Sequence, residues 1–491
     1  MVLFIAWVAS MRSFSCLEVC MADAIHFGTD GWRAIIGNDF TDDNLVRVID
    51  AAAKVFKQES IAAGRSADEP GTIIIGHDCR RDAHAYSQLA AQVAASHGFT
   101  VKLTADYCPT PTLCWSVSQD ENAVGGIMLT SSHNPAEYLG VKLRMADGGA
   151  SPKEFTDRVE ALLEDQPTEA RGSYAEVDLV TPYLEALKSR VDQDAIRAAG
   201  LRIVIDPLYG AGRKYLAGLL EDLGVEVVEI NNAEDPTFDG LHPEPIPPWI
   251  DRGMAKVTEL GFDAGFINDG DADRIGAVDE HGNFVNPHRI ITLLVSHLAE
   301  DKGESGKVVS TITASAMLAR QCKRLGLELV STPVGFKWIY AEMERGGVMI
   351  GGEESGGIGI PSHVMERDGL LMALLLAETM AQRGMSLGAL VDDMFEKIGR
   401  LEFARRGLAL SEEQMDRFRI EIMPVYETEE ICGKKVVGVD RRDGVKFLLE
   451  GDAWVMMRPS GTEPLVRVYA EAATAEEVDA LLEAATDIVC A

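Results

Sequence analysis

The chain has no Cys-x-x-Cys pair, no apolar run long enough to span a bilayer and no excess of basic residues. Each absence excludes something. Eight cysteines, at 16, 20, 79, 108, 114, 322, 432 and 490, are scattered without the density of a disulfide scaffold or the spacing of a metal knuckle, so they read as reduced, structural thiols. With 78 acidic against 46 basic side chains and a net charge of -32, the surface is a poor match for nucleic acid or an anionic membrane. An anionic substrate would have to meet its basic contacts in one concentrated place. The apolar stretch at 2–9 is too short to cross a membrane and lacks the basic start of a secretory signal. Met21-Ala-Asp-Ala is a more natural beginning, so residues 1–21 are expected to be an N-terminal extension, disordered or not native, and the cytoplasm is the default compartment.

What is present suits a large globular protein. A length of 491 residues implies three or four domains, and 46% hydrophobic with 25% charged residues disfavours disordered or fibrous classes. From residue 22 the pattern alternates between helical periods (40–57, 83–97, 180–191, 214–223, 314–325, 369–382) and short buried-strand runs (72–75, 100–103, 124–129, 201–205, 225–230, 264–267, 307–311, 327–331). That is α/β winding. A polar stretch at 166–172 and a proline-rich loop at 235–248 punctuate it. The expected organisation is three similar α/β domains, 22–178, 179–280 and 281–398, followed by a smaller α+β domain at 399–491.

Six stretches carry candidate chemistry. The run 124–129 delivers Thr130-Ser131-Ser132-His133-Asn134-Pro135 to a strand end, either as a nucleophile in a cleft or as a turn whose hydroxyls bond the local backbone. Asp269-Gly-Asp271-Ala-Asp273-Arg274 offers three carboxylates on one side of an extended segment, hard oxygen ligands for Mg²⁺. An EF-hand also asks for such spacing and Glu280 stands at its twelfth place, but Arg274 stands where that loop needs glycine; a solvated acidic turn is the plain alternative. Gly351-Gly352-Glu353-Glu354-Ser355-Gly356-Gly357 is a loop whose carboxylates and hydroxyl suit sugar hydroxyls, or else a flexible turn. Arg458-Pro-Ser460-Gly461-Thr462-Glu463-Pro464 combines a guanidinium, two hydroxyls and a Gly-centred turn, which fits a phosphate dianion. Arg33, beside a glycine turn, and Lys337 add cations that could equally be salt-bridged or solvated.

These motifs, in this order, resemble the α-D-phosphohexomutases, the phosphoglucomutase and phosphomannomutase superfamily, from about residue 25 to 469. Residues 130–135 match the active-serine motif with Ser132 at the phosphorylated position; Asp269, Asp271 and Asp273 match the metal aspartates; 352–357 match the sugar loop and 458–464 the phosphate loop. The resemblance implies four domains around a central cleft, with Mg²⁺ held by Ser132 and the three aspartates. It also implies a hexose 1,6-bisphosphate as intermediate and activator, and a small sugar phosphate as partner. By the same resemblance Ser132, His133, Lys142, Arg274 and Arg33 are the catalytic group. Lys337, Glu353, Ser355, Arg458, Ser460, Gly461 and Thr462 would bind substrate. Two positions depart from relatives: Gly357 stands where some mannose and glucosamine enzymes have His, and Leu139 where many have Asn. The Glu353-Glu354-Ser355 form and His363 ahead of Arg367-Asp368-Gly369 resemble glucose-preferring members. Glucose is therefore the expected sugar, with phosphomannomutase or dual activity as the alternative. A phosphatase and a catalytically silent sugar-phosphate-binding protein remain as other classes on the same fold.

Overall fold

The computed structural model describes residues 25–28, 30–460 and 465–490. The expected extension at 1–21, and the phosphate-loop residues Gly461 and Thr462, lie outside that set. The described residues form four sheets. Three of them share one plan: a first strand in the middle, a second parallel to it on one side, a third parallel on the other, and a fourth returning antiparallel beside the third. In the first sheet these are Thr72–His77, Thr100–Thr104, Ala123–Leu129 and Tyr138–Met145. The second uses Arg202–Asp206, Glu226–Glu229, Ala264–Asn268 and Ile275–Asp279. The third uses Lys307–Thr311, Leu329–Thr332, Val348–Gly352 and Ile358–Gly359.

The middle strands read as continuous apolar runs because both faces are covered. Ile73 and Ile75 pack with residues of the helices Asp42–Ala62 and Ala83–Ser96, while Ile74 packs with Leu113 and Val117 of the helix Thr110–Gln119. The same division recurs: Ile203 and Ile205 face one core and Val204 another, and Val308 and Val309 part likewise. Helix boundaries follow local capping. Thr41 accepts from the Asn44 amide at the start of Asp42–Ala62, and Asp368 accepts from Leu371 ahead of the buried helix Gly369–Arg383, with left-handed Gly384 ending it. That helix lies in the core that the second and third units share.

The fourth sheet is antiparallel throughout, and the helix Ala475–Cys490 covers it with Val478, Leu481, Leu482, Ala485 and Val489. It docks on the third unit through Ile312, Trp454, Met456 and Tyr469. Several polar groups inside this junction are paired. Lys446 Nζ donates to the Ile312 carbonyl at 2.6 Å above the Trp454 ring, and Glu471 accepts from the Ala316 amide at 2.8 Å and from Trp454 Nε1 at 2.9 Å. No helix among the described residues is long and apolar enough to cross a membrane.

His288 stands edge-on to Phe403 across the same junction, with ring centroids 4.4 Å apart, and its Nδ1 accepts from the Ser315 amide at 3.3 Å. Burial, with Lys446 and Arg289 nearby, pulls its pKa from 6.5 down to about 3. The folded protein refuses a proton that the unfolded chain accepts, so this contribution is complete above pH 6.5 and is lost as pH falls toward 3. Between pH 7 and 4.5 the wild type should lose about 2–3 kcal/mol more than a His288→Gln variant in denaturant titrations. Equal losses in the two proteins would remove His288 from the linkage.

Candidate active site

The three chemistry-bearing loops are one and the same connection. Residues 130–137, 269–274 and 353–357 each join the third strand of a unit to its antiparallel fourth strand. They meet. A carbon on Gly270 would come within 2.3 Å of the Ser132 carbonyl, so the aspartate loop lies against the serine loop, and glycine alone permits that approach. Arg274 forms a β-bridge with Gly357, and the Ile275 amide donates to Gly356 O at 3.0 Å, which ties the aspartate loop to the Glu353 loop.

Ser132 is buried and left-handed, with φ of 51°. Its amide donates to Thr130 Oγ1 at 2.9 Å and its Oγ donates to Asp269 Oδ2 at 2.9 Å. The strain is held by a pair of residues from the end of the neighbouring strand. Arg80 donates to the carbonyls of Ser132, Asn134 and Pro135, each at 2.7 Å, and of Tyr138 at 3.0 Å. Asp78 accepts from Arg80 Nε at 3.1 Å and from Thr130 Oγ1 at 2.6 Å. Burial raises the Asp78 pKa to about 6, against the pull of Arg80. His133 Nδ1 lies 3.3 Å from Ser132 Oγ. Burial and the Arg274 and Arg33 charges hold its pKa well below 6.5, so the imidazole is neutral. Arg33 donates to Asn134 Oδ1 at 2.5 Å, at the far end of the same loop.

The three aspartates converge as expected but by a different route. The segment is a turn with Ala272 left-handed, not an extended run, and it brings ligand oxygens of Asp269, Asp271 and Asp273 within 4.8 Å of one another. All three are buried, and Asp271 Oδ1 and Asp273 Oδ1 have no hydrogen-bond partner. Burial and the other two carboxylates raise the Asp269 pKa well above its ordinary range. A hard oxygen set with orphaned lone pairs and crowded negative charge fits a small divalent cation such as Mg²⁺.

Lys142 comes from the fourth strand of the first unit. Its Nζ donates to Asp271 at 2.8 Å and Asp273 at 3.1 Å and pairs with Asp30 at 3.0 Å. Burial opposes its charge, but Asp271, Asp273 and Asp30 outweigh that and push the pKa up, so the ammonium persists. Asp30 also pairs with Arg144 at 3.1 Å and Arg367 at 2.7 Å. Arg367 reaches Asp273 at 2.9 Å and Glu353 at 3.7 Å, joining the aspartate and Glu353 loops a second time. A carbon on Gly357 would lie 2.3 Å from Arg367 Cδ, so a side chain at 357 and Arg367 in this position exclude each other.

Glu353 is buried, and burial lifts its pKa to about 7 despite Arg367. Ser355 beside it is half-buried, and Glu354 turns away to accept from Thr313 at 2.7 Å. Lys337 lines a cavity of about 170 Å³ with Gly28, Asp30 and Gly31. Arg458 and Ser460 stand at the end of the fourth-sheet strand Trp454–Pro459; Arg458 Nε donates to Asp443 at 2.9 Å, and the Ser460 carbonyl accepts from Arg419 at 2.7 Å. Arg274 Nε lies 3.8 Å from both Asp269 and Asp273.

Asp30, Asp78, Arg80 and Thr110, whose hydroxyl donates to Asp271 at 2.6 Å, escaped the sequence reading. The one available signal was Asp78-Cys79-Arg80, a charged pair directly after the strand Thr72–His77.

Comparison with known proteins follows the same division. Four family models match: phosphoglucomutase/phosphomannomutase alpha/beta/alpha domain I at 24–170, domain II at 181–282, domain III at 286–398 and the C-terminal domain at 421–488. A phosphoglucomutase/phosphomannomutase of Thermococcus kodakarensis is 32% identical over 93% of this chain and 96% of its own length. A phosphoglucosamine mutase of Nostoc is 31% identical over 92% of this chain and 88% of its own. Among solved structures, a Thermus thermophilus protein provisionally named a phosphomannomutase superposes with a TM-score of 0.84 at 37% identity, over 96% of this chain and all of its own.

Proposed function

The chain belongs to the phosphoglucomutase/phosphomannomutase family, and we propose that it moves a phosphoryl group between carbon 1 and carbon 6 of a hexose, glucose above all. The class of reaction, an intramolecular phosphotransfer, is that of the family. The observation that carries the finer reading is Ser132 Oγ, 2.9 Å from Asp269 in the buried cluster of three carboxylates. In this reading phosphorylated Ser132 gives its phosphoryl group to a free hydroxyl of the sugar monophosphate. The P–O bond to Ser132 breaks, one to the sugar oxygen forms, and the proton of that sugar hydroxyl ends on the Ser132 oxygen; the hexose 1,6-bisphosphate then turns over and returns its other phosphoryl group to Ser132, with the proton moving the opposite way.

A loose phosphoryl-transfer transition state needs positioning and charge neutralisation more than covalent help. Asp269, Asp271 and Asp273 would hold Mg²⁺ together with the Ser132 oxygen, and the ion would offset charge accumulating on the transferring group. Arg33 and Arg274 flank the serine loop as fixed cations. Neutral His133 offers one N–H beside Ser132 Oγ. Lys142, kept charged by Asp271, Asp273 and Asp30, would serve as a hydrogen-bond donor to developing oxyanion and not as a resting base. Glu353 and Ser355 would take the 3- and 4-hydroxyls. Lys337, Arg458, Ser460, Gly461 and Thr462 would hold the phosphate that is not reacting, whichever carbon bears it.

Glucose is favoured by Glu353-Glu354-Ser355 and by the filling of the space at Gly357 with Arg367. A side-by-side assay of glucose, mannose and glucosamine 1-phosphates, with Mg²⁺ and a trace of the matching 1,6-bisphosphate, should give the highest kcat/KM for glucose, by about tenfold over the others. A preference for mannose or glucosamine would move the sugar assignment. Free phosphate without any isomerised sugar phosphate would mark a phosphatase instead.

A further inference from the structure

The helix Thr110–Gln119 belongs to the first unit, yet its first residue is bonded to the aspartate turn of the second. The Thr110 amide donates to the Asp271 carbonyl at 2.9 Å, and its hydroxyl donates to Asp271 Oδ2 at 2.6 Å. One residue thus holds both the backbone and the side chain of one carboxylate, and both partners are fully buried. The local sequence directs this contact. A helix start leaves amides without partners inside the helix, but Pro109 and Pro111 have no N–H, and the Thr112 amide turns back to the Pro109 carbonyl at 3.0 Å. Of the first three helical positions, Thr110 is the one whose N–H points to another segment. Just upstream, the Cys108 amide donates to the His77 carbonyl at 2.9 Å, which pins the helix start to the end of the strand Thr72–His77.

The oxygens of the cluster are divided in a regular way. Asp271 Oδ2 accepts from Thr110 and from Lys142, while Oδ1 has no partner. Asp273 Oδ2 meets Lys142 at 3.1 Å and Arg367 at 2.9 Å, while Oδ1 again has no hydrogen-bond partner. Lys142 does not fix the orientation of Asp271 by itself, because its ammonium is shared among Asp271, Asp273 and Asp30 at the end of a flexible stem. Thr110 is better suited. Its hydroxyl sits on a β-branched side chain with few rotamers, on a residue whose backbone is already tied to the same aspartate.

We propose that Thr110 is a positioning residue for the ion site: it turns the Asp271 carboxylate so that Oδ2 is held by protein donors and Oδ1 alone is left for the ion. The inference rests on the aspartates holding Mg²⁺, as in the proposed function, and adds to them a residue that touches neither ion nor substrate. A carboxylate confined to one oxygen suits the strict octahedral shell of Mg²⁺. One that is free to rotate can offer both oxygens, which suits the larger and more adaptable shell of Ca²⁺. Without the hydroxyl, Oδ2 keeps Lys142 as its donor, the carboxylate gains that freedom, and Mg²⁺ loses more than Ca²⁺.

Calorimetric titration of the full chain with Mg²⁺ and, separately, with Ca²⁺ tests this in three proteins: wild type, Thr110→Val, which keeps the shape and removes the donor, and Thr110→Ser, which keeps the donor. Thr110→Val should weaken Mg²⁺ binding about ten- to a hundredfold and lower the Mg²⁺-over-Ca²⁺ affinity ratio at least about fivefold. In turnover it should lower kcat about tenfold or more, with KM for glucose 1-phosphate within about threefold. Thr110→Ser should stay within about threefold of wild type in every one of these quantities. Thr110→Ala, which removes the hydroxyl without placing a methyl against the carboxylate, gives the same comparison if the valine variant does not fold. An unchanged ion ratio in a folded Val or Ala variant overturns the assignment, and so does a Ser variant as impaired as the Val variant, which would make Thr110 a packing residue alone. A wild type that binds no divalent ion overturns the ion site and Thr110 with it. A wild type that binds Mg²⁺ but interconverts no hexose phosphate sinks the mutase reading, and the ion ratio still decides on Thr110.

Discussion

Ser132→Ala should lower hexose phosphate interconversion by at least about 10³-fold while leaving the fold intact. The loop does not need the hydroxyl to keep its shape. Thr130 holds the Ser132 amide and Arg80 holds the carbonyls of Ser132, Asn134, Pro135 and Tyr138, all backbone groups that alanine retains. What alanine removes is the oxygen that faces Asp269 and, in the proposed cycle, carries the phosphoryl group between two sugars. Incubation with glucose 1,6-bisphosphate followed by phosphopeptide mapping should find one phosphate on Ser132 in the wild type and none in the variant. Wild-type turnover in the variant would refute the assignment. A phosphate on Ser131, whose buried Oγ has no hydrogen-bond partner, would move the nucleophile by one residue.

Asp271→Asn should cost about 10²–10⁴ in kcat and weaken Mg²⁺ binding measurably by calorimetry, with little change in the folded structure. Asp271 accepts from Thr110 Oγ1 and Lys142 Nζ through Oδ2 and leaves Oδ1 unpaired in the cluster. The amide keeps the volume but deletes a charge that opposes Lys142 and supplies a hard ligand. Removal of divalent ions from the wild type by a chelator should produce a comparable loss, reversed by Mg²⁺. Unaltered turnover together with unaltered Mg²⁺ affinity in the Asp271→Asn variant would exclude Asp271 as a ligand.

The parts of the site carried by contiguous motifs were legible from the amino acids alone. The serine loop and the aspartate loop each concentrate unusual residues within a few positions after a buried strand, and such density survives without a structure. The supports are different in kind. Arg80 meets carbonyls 52 to 58 residues away, and Arg367 meets Asp30 across 337. Each is a single charged residue in an ordinary setting, meaningful only once the chain is folded. The strand Tyr138–Met145 hid for a related reason. Its alternation is broken by Lys142 and Arg144, charges that a strand buries only when carboxylates from other segments await them, here Asp30, Asp271, Asp273 and Glu366. The helix Thr110–Gln119 was concealed by Pro109 and Pro111, which mark a turn in isolation but here stand at its start, where a proline costs no hydrogen bond. The aspartate segment was read with the right residues and the wrong backbone, because a left-handed Ala272 has no signature in the sequence.

The shared position of the three loops separates framework from chemistry. Each unit satisfies its own strands and helices without calling on the loop between its third and fourth strands, so that loop is free to vary at small cost in stability. In the proposed cycle one would be a carrier, one an ion holder and one a reader of hydroxyls. A single such unit would present one of these loops to open water; three bring them into contact, Gly270 against the Ser132 carbonyl and Arg274 bridged to Gly357. The architecture is thus a way of acquiring a composite pocket by addition, in which new selectivity can arise by rewriting a few residues of one copy while the other two continue to hold the reaction in place.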